Sequence, residues 1–463
     1  MTFDIENPSD YDFSRVSKFG VRGRMLSNTG LLGGARLIAA FMGIATLVIT
    51  AKALPNTEDF GILLFIHAYM LFFSQVVSFH IWQALIRFGS EEVKSENAKR
   101  LSQLIKTGLL LDVCAAILAF LAAISCFSIF LWVQRVIGTE TAADILSSQN
   151  GIPLKQLIFL YCFVILFRQT NVAVGIFRLF DKFSVLAFRA LVMPSVRLVG
   201  VVIAAQQGWG LSGFISVWFV ASLLSYLTLQ IFAIIEIHNR KFWPLIRRVK
   251  ICQPKNYPGL YPFILKTNID TTLNALKKSF PSLAVMMVFG PAMLAVYRIA
   301  EEVSRLLSRG VAMFNQVLFP ELSRMAADVD FRALSRTTGR TALGIGIVGF
   351  IISVIVLIFG SSILETAFDD SFVAAPSLSV MLLIASSLIG VATPFYTVFY
   401  VLMRPETAIY VRLMGTIIFI GLFFFLSQSL GLFSIGWAAI VGALIEVILV
   451  IVFTRHMINK RQA

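Results

Sequence analysis

The chain has 463 residues, of which 58% are hydrophobic, 13% are aromatic and only 14% are charged. This composition, with a mean hydropathy of +0.84, excludes a soluble globular protein and predicts a polytopic membrane protein. The net charge of +14 indicates an excess of Lys and Arg in cytoplasmic loops, so no nucleic-acid partner is predicted.

Residues 1–30 are polar and mix acidic with basic side chains, which predicts a cytoplasmic N-terminal tail without a signal peptide. Twelve apolar segments follow, and each is long enough to cross a bilayer, which takes about 20 residues. They cover 31–53, 60–86, 104–132, 154–177, 185–206, 211–236, 261–288, 292–318, 340–361, 374–402, 407–428 and 433–455. The chain is therefore predicted to be an all-α membrane protein whose two termini lie on the same side.

The connections between the spans differ sharply in charge. One side holds almost all of the loop lysines and arginines, whereas the other holds Arg135 and almost nothing else. By the positive-inside rule, both termini are predicted to be cytoplasmic, and residues 456–463 form the C-terminal tail. The longest basic connection, 237–258, is predicted to link an N-lobe of six spans, 31–236, to a C-lobe of six spans, 259–455.

The two halves resemble each other in sequence. At one constant offset Arg189 falls on Arg412, and at a slightly larger offset Gln83 falls on Gln316. The change of offset fits the longer outer loop 133–153 in the first half. The shared register predicts two parallel repeats related by an axis along the membrane normal, with a substrate path between them.

The seventh and eighth spans, which meet at Gly290-Pro291, carry many charges. On a helical wheel of about 100° per residue, the polar residues of each span fall on one stripe. The two stripes consist of Lys266, Asp270, Asn274 and Lys277, and of Arg298, Glu302, Arg305, Arg309 and Gln316. A charge at the bilayer centre costs about 2.5–3.5 kcal/mol, so these side chains are expected to face water or protein. The first hypothesis is a hydrated cavity with a positive lining.

Pairing within each helix is the alternative. The pairs at helical neighbour spacing are Lys266 with Asp270, and Glu302 with Arg298 or Arg305. Six basic residues of the two spans nevertheless oppose only three acidic ones, which leaves a surplus of three positive charges. Pairing therefore cannot neutralise the whole set, and a contact with substrate stays open beside a structural role.

Arginines within spans extend this pattern into the first half. Arg168 in the fourth span and Arg197 in the fifth, just after Pro194, are candidates for the same cavity. Arg189 lies near the cytoplasmic end of its span, where its side chain is expected to extend toward the headgroups.

Acidic residues within spans are candidates for binding a coupling ion, H⁺ or Na⁺, and equally for pairing between helices. They are Asp112, Asp270 and Glu446. His67 and His80 are too far apart in sequence for a metal pair, and the four cysteines follow no metal or disulfide pattern. No catalytic set or phosphate-binding loop is evident, so neither a cofactor nor an enzyme activity is predicted.

Arginine and lysine in a hydrated cavity favour an anionic substrate, because both donate charge-assisted hydrogen bonds to phosphate. A pyrophosphate group would match the surplus of positive charge.

Three stretches resemble a known family. They are Ala51-Lys52-Ala53-Leu54-Pro55 followed by Asp59-Phe60-Gly61, then Val296-Tyr297-Arg298-Ile299-Ala300, and then Phe319-Pro320-Glu321-Leu322-Ser323. In these stretches the sequence resembles the polysaccharide transport branch of the MOP flippase superfamily, the Wzx-type O-antigen and exopolysaccharide flippases. The resemblance, which covers about 24–455, implies two six-helix lobes around a central cavity. It also implies alternating access and transport of an undecaprenyl-pyrophosphate-linked oligosaccharide across the bacterial inner membrane.

On this hypothesis the pyrophosphate is held by cations and the sugars meet polar side chains, while the lipid tail stays in the bilayer. The cations are Lys266, Lys277, Arg298, Arg305 and Arg309, with Arg168 and Arg197 assisting, and the polar side chains are Asn274, Asn315 and Gln316. The predicted partners are this lipid-linked glycan, membrane lipid, and a polysaccharide polymerase and chain-length regulator. The transport unit is predicted to be a monomer.

Two other functions remain open. A multidrug or cation antiporter of the same superfamily would have the same spans, but its cationic substrates would require a net acidic cavity. A membrane enzyme of polysaccharide assembly would require an acidic catalytic motif or a large outer loop, whereas the longest outer loop, 133–153, is short.

Overall fold

The computed structural model describes residues 11–13, 21–137, 154–252, 257–328, 330–368, 372–402 and 404–462, and these contain helices and turns but no strand. Most of the outer loop 133–153 lies outside them. Their fifteen helices are α1 (Val21–Ala53), α2 (Thr57–Val76), α3 (Trp82–Lys94), α4 (Ala98–Ile137), α5 (Leu154–Cys162), α6 (Ile165–Arg168), α7 (Asn171–Leu179), α8 (Phe183–Gln206), α9 (Leu211–Asn239), α10 (Trp243–Arg248), α11 (Leu260–Ala327), α12 (Phe331–Ala367), α13 (Ala375–Val401), α14 (Pro405–Leu430) and α15 (Phe433–Gln462).

Eleven stretches of the described chain are long and apolar enough to cross a membrane, and one of them, Leu260–Ala312, is long enough for two spans. Within it, Gly290 has a φ of +79° and a ψ of −175°, a conformation that strains any residue with a Cβ. Pro291, which lacks a backbone N–H, begins the second arm of α11 at little cost. The double stretch accordingly contains two arms, 260–289 and 291–327, and the fold has twelve spans as predicted.

Two spans are interrupted where the sequence predicted continuous helices. The second span consists of α2 and α3, which are separated at 77–81. The fourth consists of α5, α6 and α7, with breaks at 163–164 and 169–170. A hydropathy pattern measures how apolar a segment is, and it does not detect a short break in the helical hydrogen bonds.

The chain divides into two compact units. The first comprises the described parts of Met1–Ala53, Ile66–Val133 and Ala143–Phe280, and the second those of Leu54–Phe65, Gln134–Ala142 and Pro281–Ala463. In the first unit α8 packs against α1 and α9, and α3 packs against α7. In the second unit α13 and α14 both pack against α15, and α12 packs against α13.

The first arm of α11 belongs to the first unit. Leu260 and Ile264 share a buried apolar cluster with Leu101, Phe242 and Leu245. Leu245 lies on α10, so the basic connection 237–258 is itself packed into this unit rather than extended between two bodies. The contact boundary falls at 280–281, inside α11, and the lobe division at 237–258 stays a prediction from the sequence repeat.

The helix bounds agree with the sequence repeat. The offset that places Gln83 on Gln316 moves α4 to 331–370, and α12 begins at Phe331. The offset that places Arg189 on Arg412 moves α8 and α9 to 406–429 and 434–462, which nearly coincide with α14 and α15. Helix α15 ends at Gln462, so it continues through most of the predicted tail 456–463.

Close packing explains why the Asp59-Phe60-Gly61 stretch contains a glycine. A Cβ at Gly61 would lie 1.9 Å from the carbonyl oxygen of Pro291, within the second unit. The start of α2 therefore approaches the α11 backbone more closely than any side chain allows.

Candidate functional site: an arginine–glutamate ladder and an interrupted-span pocket

Charged side chains on the second arm of α11 form an arginine–glutamate ladder, consisting of Arg298, Glu301, Glu302, Arg305 and Arg309. The N···O distances are 2.6 Å from Arg298 to Glu301 and 3.1 Å from Arg305 to Glu301. Glu302 lies 3.4 Å from Arg305 and 2.7 Å from Arg309. Residues three, four and seven apart share one helix face, so this part of the chain orders the charges without help from another helix.

The ladder contains three guanidinium groups and two carboxylates, which leaves one positive charge. Its side chains are 12% to 38% exposed, with Arg309 the most accessible. The guanidinium Nε atoms of Arg298 and Arg305 are buried and have no hydrogen-bond partner among the described residues. The second arm therefore contributes one of the three surplus positive charges that the sequence predicted for the two spans, and donors remain for a further acceptor.

The other predicted residues of α11 divide between described and undescribed side chains. Lys277 is half-buried on the first arm. Asn315, on the second arm, accepts a hydrogen bond of 2.8 Å from the Thr397 hydroxyl and so connects α11 to α13. The side chains of Lys266, Asp270, Asn274 and Gln316 lie outside those that the structure describes.

The first unit contains a polar cavity of about 190 Å³ at the two interrupted spans. We call it the interrupted-span pocket, and its lining consists of Ser74, Gln75, Ser78, His80, Arg168, Gln169, Thr170, Asn171, Arg189 and Tyr226. These residues come from α2, the 77–81 connection, α6, α7, α8, α9 and the break between α6 and α7. All of them belong to the first unit, so the pocket is formed within one compact body.

The breaks in these spans explain why polar side chains gather here. A broken helix leaves backbone groups without their usual partners, and lipid offers none. The Gln169 side chain donates to the Ser74 carbonyl oxygen at 3.2 Å. Gln230 donates to the Phe167 carbonyl oxygen at 2.8 Å, and Thr272 donates to that of Val76 at 3.3 Å.

Asp112 serves the same purpose at the start of α7. Its carboxylate accepts hydrogen bonds from the Val172 backbone N–H at 3.0 Å and from the Asn171 side chain at 2.9 Å. Acidic groups are favoured at a helix N-terminus, where N–H groups are unpaired. The geometry thus gives Asp112 a structural contact, and its role in binding a coupling ion stays a prediction.

Arg168 and Arg189 meet around one tyrosine. Arg168 donates to the Tyr226 hydroxyl at 3.1 Å and to the Ser74 hydroxyl. The Arg189 guanidinium carbon lies 5.4 Å from the centre of the Tyr226 ring, and its Nε is buried without a partner. No carboxylate of the described chain lies within ion-pair distance of either arginine. The prediction that Arg189 extends toward the headgroups is wrong, because this side chain lines the pocket.

Arg197 lies outside this pocket. Its guanidinium carbon is 3.9 Å from the centre of the Trp218 ring, and Nη2 donates to the Ser222 hydroxyl at 3.4 Å. It lines a separate cavity of about 90 Å³ together with Pro194 and Thr46. The structure therefore does not bring Arg168 and Arg197 into one site.

Glu446 belongs to a buried cluster in the second unit. It is 1% exposed and accepts a hydrogen bond of 2.9 Å from the Tyr396 hydroxyl. The Arg412 guanidinium carbon lies 4.7 Å from the centre of the Tyr396 ring. A helix-to-helix contact between α13 and α15 is therefore one role of Glu446, and a coupling role stays a prediction.

Most residues of the interrupted-span pocket and one member of the ladder were not predicted from the sequence. Glu301 lies off the stripe chosen on the helical wheel, yet it bridges Arg298 and Arg305. The four consecutive polar residues at 168–171 inside an apolar span were the available signal for the pocket. Their partners on α2, α8 and α9 are distant in sequence, and no local pattern connects them.

The described helices share their fold with solved transporters of the MOP superfamily. The inward-facing structure of a multidrug resistance MATE family transporter of that superfamily aligns with a TM-score of 0.70 at 12% identity, covering 93% of this chain and 99% of the other. The lipid II flippase MurJ, in its inward closed conformation, aligns with a TM-score of 0.64 at 15% identity, covering 92% and 87%. At these identities the similarity concerns the fold alone.

The sequence profile of the family described as "Polysaccharide biosynthesis protein" matches residues 25–326, and the chain belongs to that family. The inner membrane protein YghQ of Escherichia coli (strain K12) is 22% identical over 357 residues, which cover 76% of this chain and 94% of YghQ. The chain is thus a multi-pass membrane protein of this polysaccharide biosynthesis family, as its sequence predicted, and it shares its fold with a MATE transporter and with MurJ.

Proposed function

We propose that the protein is a flippase for an undecaprenyl-pyrophosphate-linked oligosaccharide, and that it works by alternating access in the bacterial inner membrane. It would serve O-antigen or exopolysaccharide synthesis, beside a polymerase and a chain-length regulator. Membership of a polysaccharide biosynthesis family and the fold shared with a lipid II flippase support this proposal. Transport rather than catalysis is proposed, with both termini in the cytoplasm.

The arginine–glutamate ladder is the observation that carries the proposal. Three arginines half-buried on an apolar helix are costly unless an acceptor is close, and Glu301 and Glu302 provide acceptors when no substrate is bound. The net positive charge of the ladder favours an anion, and guanidinium groups bind phosphate through paired N–H donors.

A pyrophosphate would enter the ladder by exchanging partners. Arg305 contacts both Glu301 and Glu302, at 3.1 Å and 3.4 Å, which are longer than the contacts of the two outer arginines. It can turn its donors toward a phosphate while Glu301 keeps Arg298 and Glu302 keeps Arg309. The ladder then keeps its arginines oriented before the substrate arrives, which reduces the cost of binding.

The remaining parts of the proposal concern the rest of the substrate. The lipid tail would stay in the bilayer, and the sugars would meet polar side chains at Asn274, Asn315 and Gln316. Lys266 and Lys277 would assist the ladder in holding the pyrophosphate. Coupling to H⁺ or Na⁺ is left open between Asp270, Asp112 and Glu446.

A reconstituted flipping assay tests this function. The protein is placed in vesicles with a fluorescent undecaprenyl-pyrophosphate sugar, and movement between leaflets is measured by access of a membrane-impermeant quencher. We expect Arg305→Ala to slow flipping about 100-fold, because two charge-assisted hydrogen bonds worth roughly 1.5 kcal/mol each are lost. Arg324→Ala is the control, since this arginine is 61% exposed and pairs only with Glu321 in the described chain.

The outcomes distinguish the competing functions. Flipping that requires Arg305 supports the proposal, whereas flipping at the same rate in Arg305→Ala contradicts the role of the ladder. If the vesicles accumulate a cationic dye and do not flip the lipid-linked sugar, the multidrug antiporter hypothesis replaces it. Turnover of the sugar to a new product would instead favour a membrane enzyme.

A further inference from the structure

The interrupted-span pocket has a positive charge that the described chain does not neutralise. Arg168 and Arg189 both line it, and no carboxylate of the described residues pairs with either. The nearest acid in its hydrogen-bond network, Asp112, is already occupied by Asn171 and the Val172 N–H. Two guanidinium groups within an apolar bundle are costly unless an anion accompanies them.

The second repeat shows what accompanies an arginine at the equivalent position. Arg412, which corresponds to Arg189, lies beside Tyr396, and the Tyr396 hydroxyl donates to the Glu446 carboxylate. In the first repeat the position of Glu446 is occupied by Leu223. Tyr226 there contacts two arginines and no carboxylate among the described residues. The described part of the first repeat therefore lacks the internal anion that the second repeat provides.

The lining of the pocket also suits an oxyanion. The guanidinium groups of Arg168 and Arg189 both line the cavity, and Ser74, Ser78 and Asn171 complete a polar lining whose own donors are engaged with protein acceptors. Its volume of about 190 Å³ exceeds that of several water molecules, each of which takes about 30 Å³. The Arg189 Nε adds a buried donor that lacks an acceptor.

We propose that the interrupted-span pocket is an anion site for a phosphate-type oxyanion, which Arg168 of the broken fourth span and Arg189 of the fifth span hold together. The pocket shares no residue with the ladder and lies wholly within the first unit. Free phosphate or pyrophosphate and the pyrophosphate of a carrier lipid share this chemistry. Binding of the carrier-lipid head group in this pocket depends on the proposed flippase function, whereas binding of free phosphate or pyrophosphate does not.

Ligand-induced stabilisation tests the site directly. The purified full-length protein in detergent is titrated with sodium pyrophosphate and sodium phosphate at constant ionic strength, with sodium chloride as the reference, and Tm is recorded. A ligand that binds only the folded protein raises Tm with its concentration. We expect a saturable rise that becomes at least tenfold weaker in apparent affinity in Arg189→Gln and in Arg168→Gln, and that is unchanged in Arg324→Gln.

A second arm separates the two sources of the anion. The same variants are examined in lipid nanodiscs that contain undecaprenyl pyrophosphate, and binding is measured by retention of the radiolabelled lipid. Binding of the inorganic anions that depends on both arginines supports a site for a free oxyanion. Binding of the lipid alone, with the same dependence, supports a site for its head group. Binding of neither, or binding that neither substitution weakens, overturns the proposal.

Conservative substitutions protect the test against misfolding. Arg168→Lys and Arg189→Lys keep the charge but lose the paired donors of guanidinium, and we expect a loss of about threefold to tenfold in affinity. Full affinity in both lysine variants and both glutamine variants would contradict the proposal. Flipping in the Arg305→Ala protein is measured separately, so failure of the ladder and failure of this site give different results.

Discussion

The two repeats contain equivalent helices but place their buried charges at positions that do not correspond. Under the offset that places Gln83 on Gln316, the ladder residues of the second repeat correspond to Phe65, Ala68, Tyr69, Phe72 and Val76. Under the same offset the pocket residues Ser74, Ser78 and His80 correspond to Leu307, Val311 and Met313. Under the offset that places Arg189 on Arg412, Arg168 corresponds to Val391. Of the ladder and pocket residues, only Arg189 has a counterpart of the same charge, Arg412.

This difference follows from the continuity of the helices. In the first repeat the second and fourth spans are broken, and their unpaired backbone groups require polar side chains such as Gln169 and Asp112. In the second repeat α13 has no such break, although Pro394 lies inside it. The charges of the second arm of α11 form pairs along one helix face. The two repeats thus share the positions of their spans but differ in which of those positions carry polar residues.

The largest effect on stability is expected at the break in the fourth span. Asp112→Ala removes the acceptor for the buried Val172 N–H and one of the acceptors of the half-buried Asn171 side chain. We expect a loss of about 2–4 kcal/mol in the free energy of unfolding. The equivalent residue, Ile345, lies on the continuous helix α12, and Ile345→Val is expected to cost only about 0.5–1.5 kcal/mol.

Denaturant unfolding in detergent measures both Asp112→Ala and Ile345→Val. Equal losses would mean that the break in the first repeat does not depend on Asp112. Asp112→Asn, which keeps an oxygen acceptor, is expected to recover part of the loss.

A smaller effect is expected where α14 meets α15 in the second repeat. A Cβ at Gly415 would lie 2.2 Å from Oε1 and 2.5 Å from Cγ of Glu446. Gly415→Ala is therefore expected to cost about 1–3 kcal/mol through overpacking against this buried side chain. In the first repeat Val192 occupies the position equivalent to Gly415, and Leu223 occupies that of Glu446.

Gly421→Ala on the same helix is the matched control, because nothing lies within 4 Å of its Cβ position. We expect it to be neutral or to stabilise by up to about 1 kcal/mol, since alanine favours a helix over glycine. Thermal unfolding compares the two variants, and similar Tm values for both would contradict the close approach of α14 to Glu446.

The smallest effect is expected from a single hydroxyl. Tyr396→Phe removes the donor to Glu446, and we expect a loss of about 1 kcal/mol in the free energy of unfolding. Tyr410→Phe is the control because Tyr410 is 66% exposed on α14. If Tyr396→Phe has no more effect than Tyr410→Phe, the Tyr396 hydroxyl does not stabilise the Glu446 carboxylate. The difference between Tyr396, which contacts a carboxylate, and Tyr226, which contacts two arginines, would then carry less weight.

The sequence by itself determined the twelve spans, the turn at Gly290, the parallel repeat and the charged face of the eighth span. Each of these depends on local properties, namely hydropathy over about 20 residues, the helical period and the backbone freedom of glycine. Even the family resemblance lies in short continuous stretches.

The tertiary structure alone decided which polar residues meet. The second and fourth spans are interrupted, and Ser74, Arg168, Arg189 and Tyr226 come together from four helices. The Asp112 carboxylate accepts a hydrogen bond from the Val172 backbone N–H. The physical reason is that hydrogen bonding in an apolar bundle is satisfied across helices, and contacts between positions far apart in sequence leave no periodic pattern to detect.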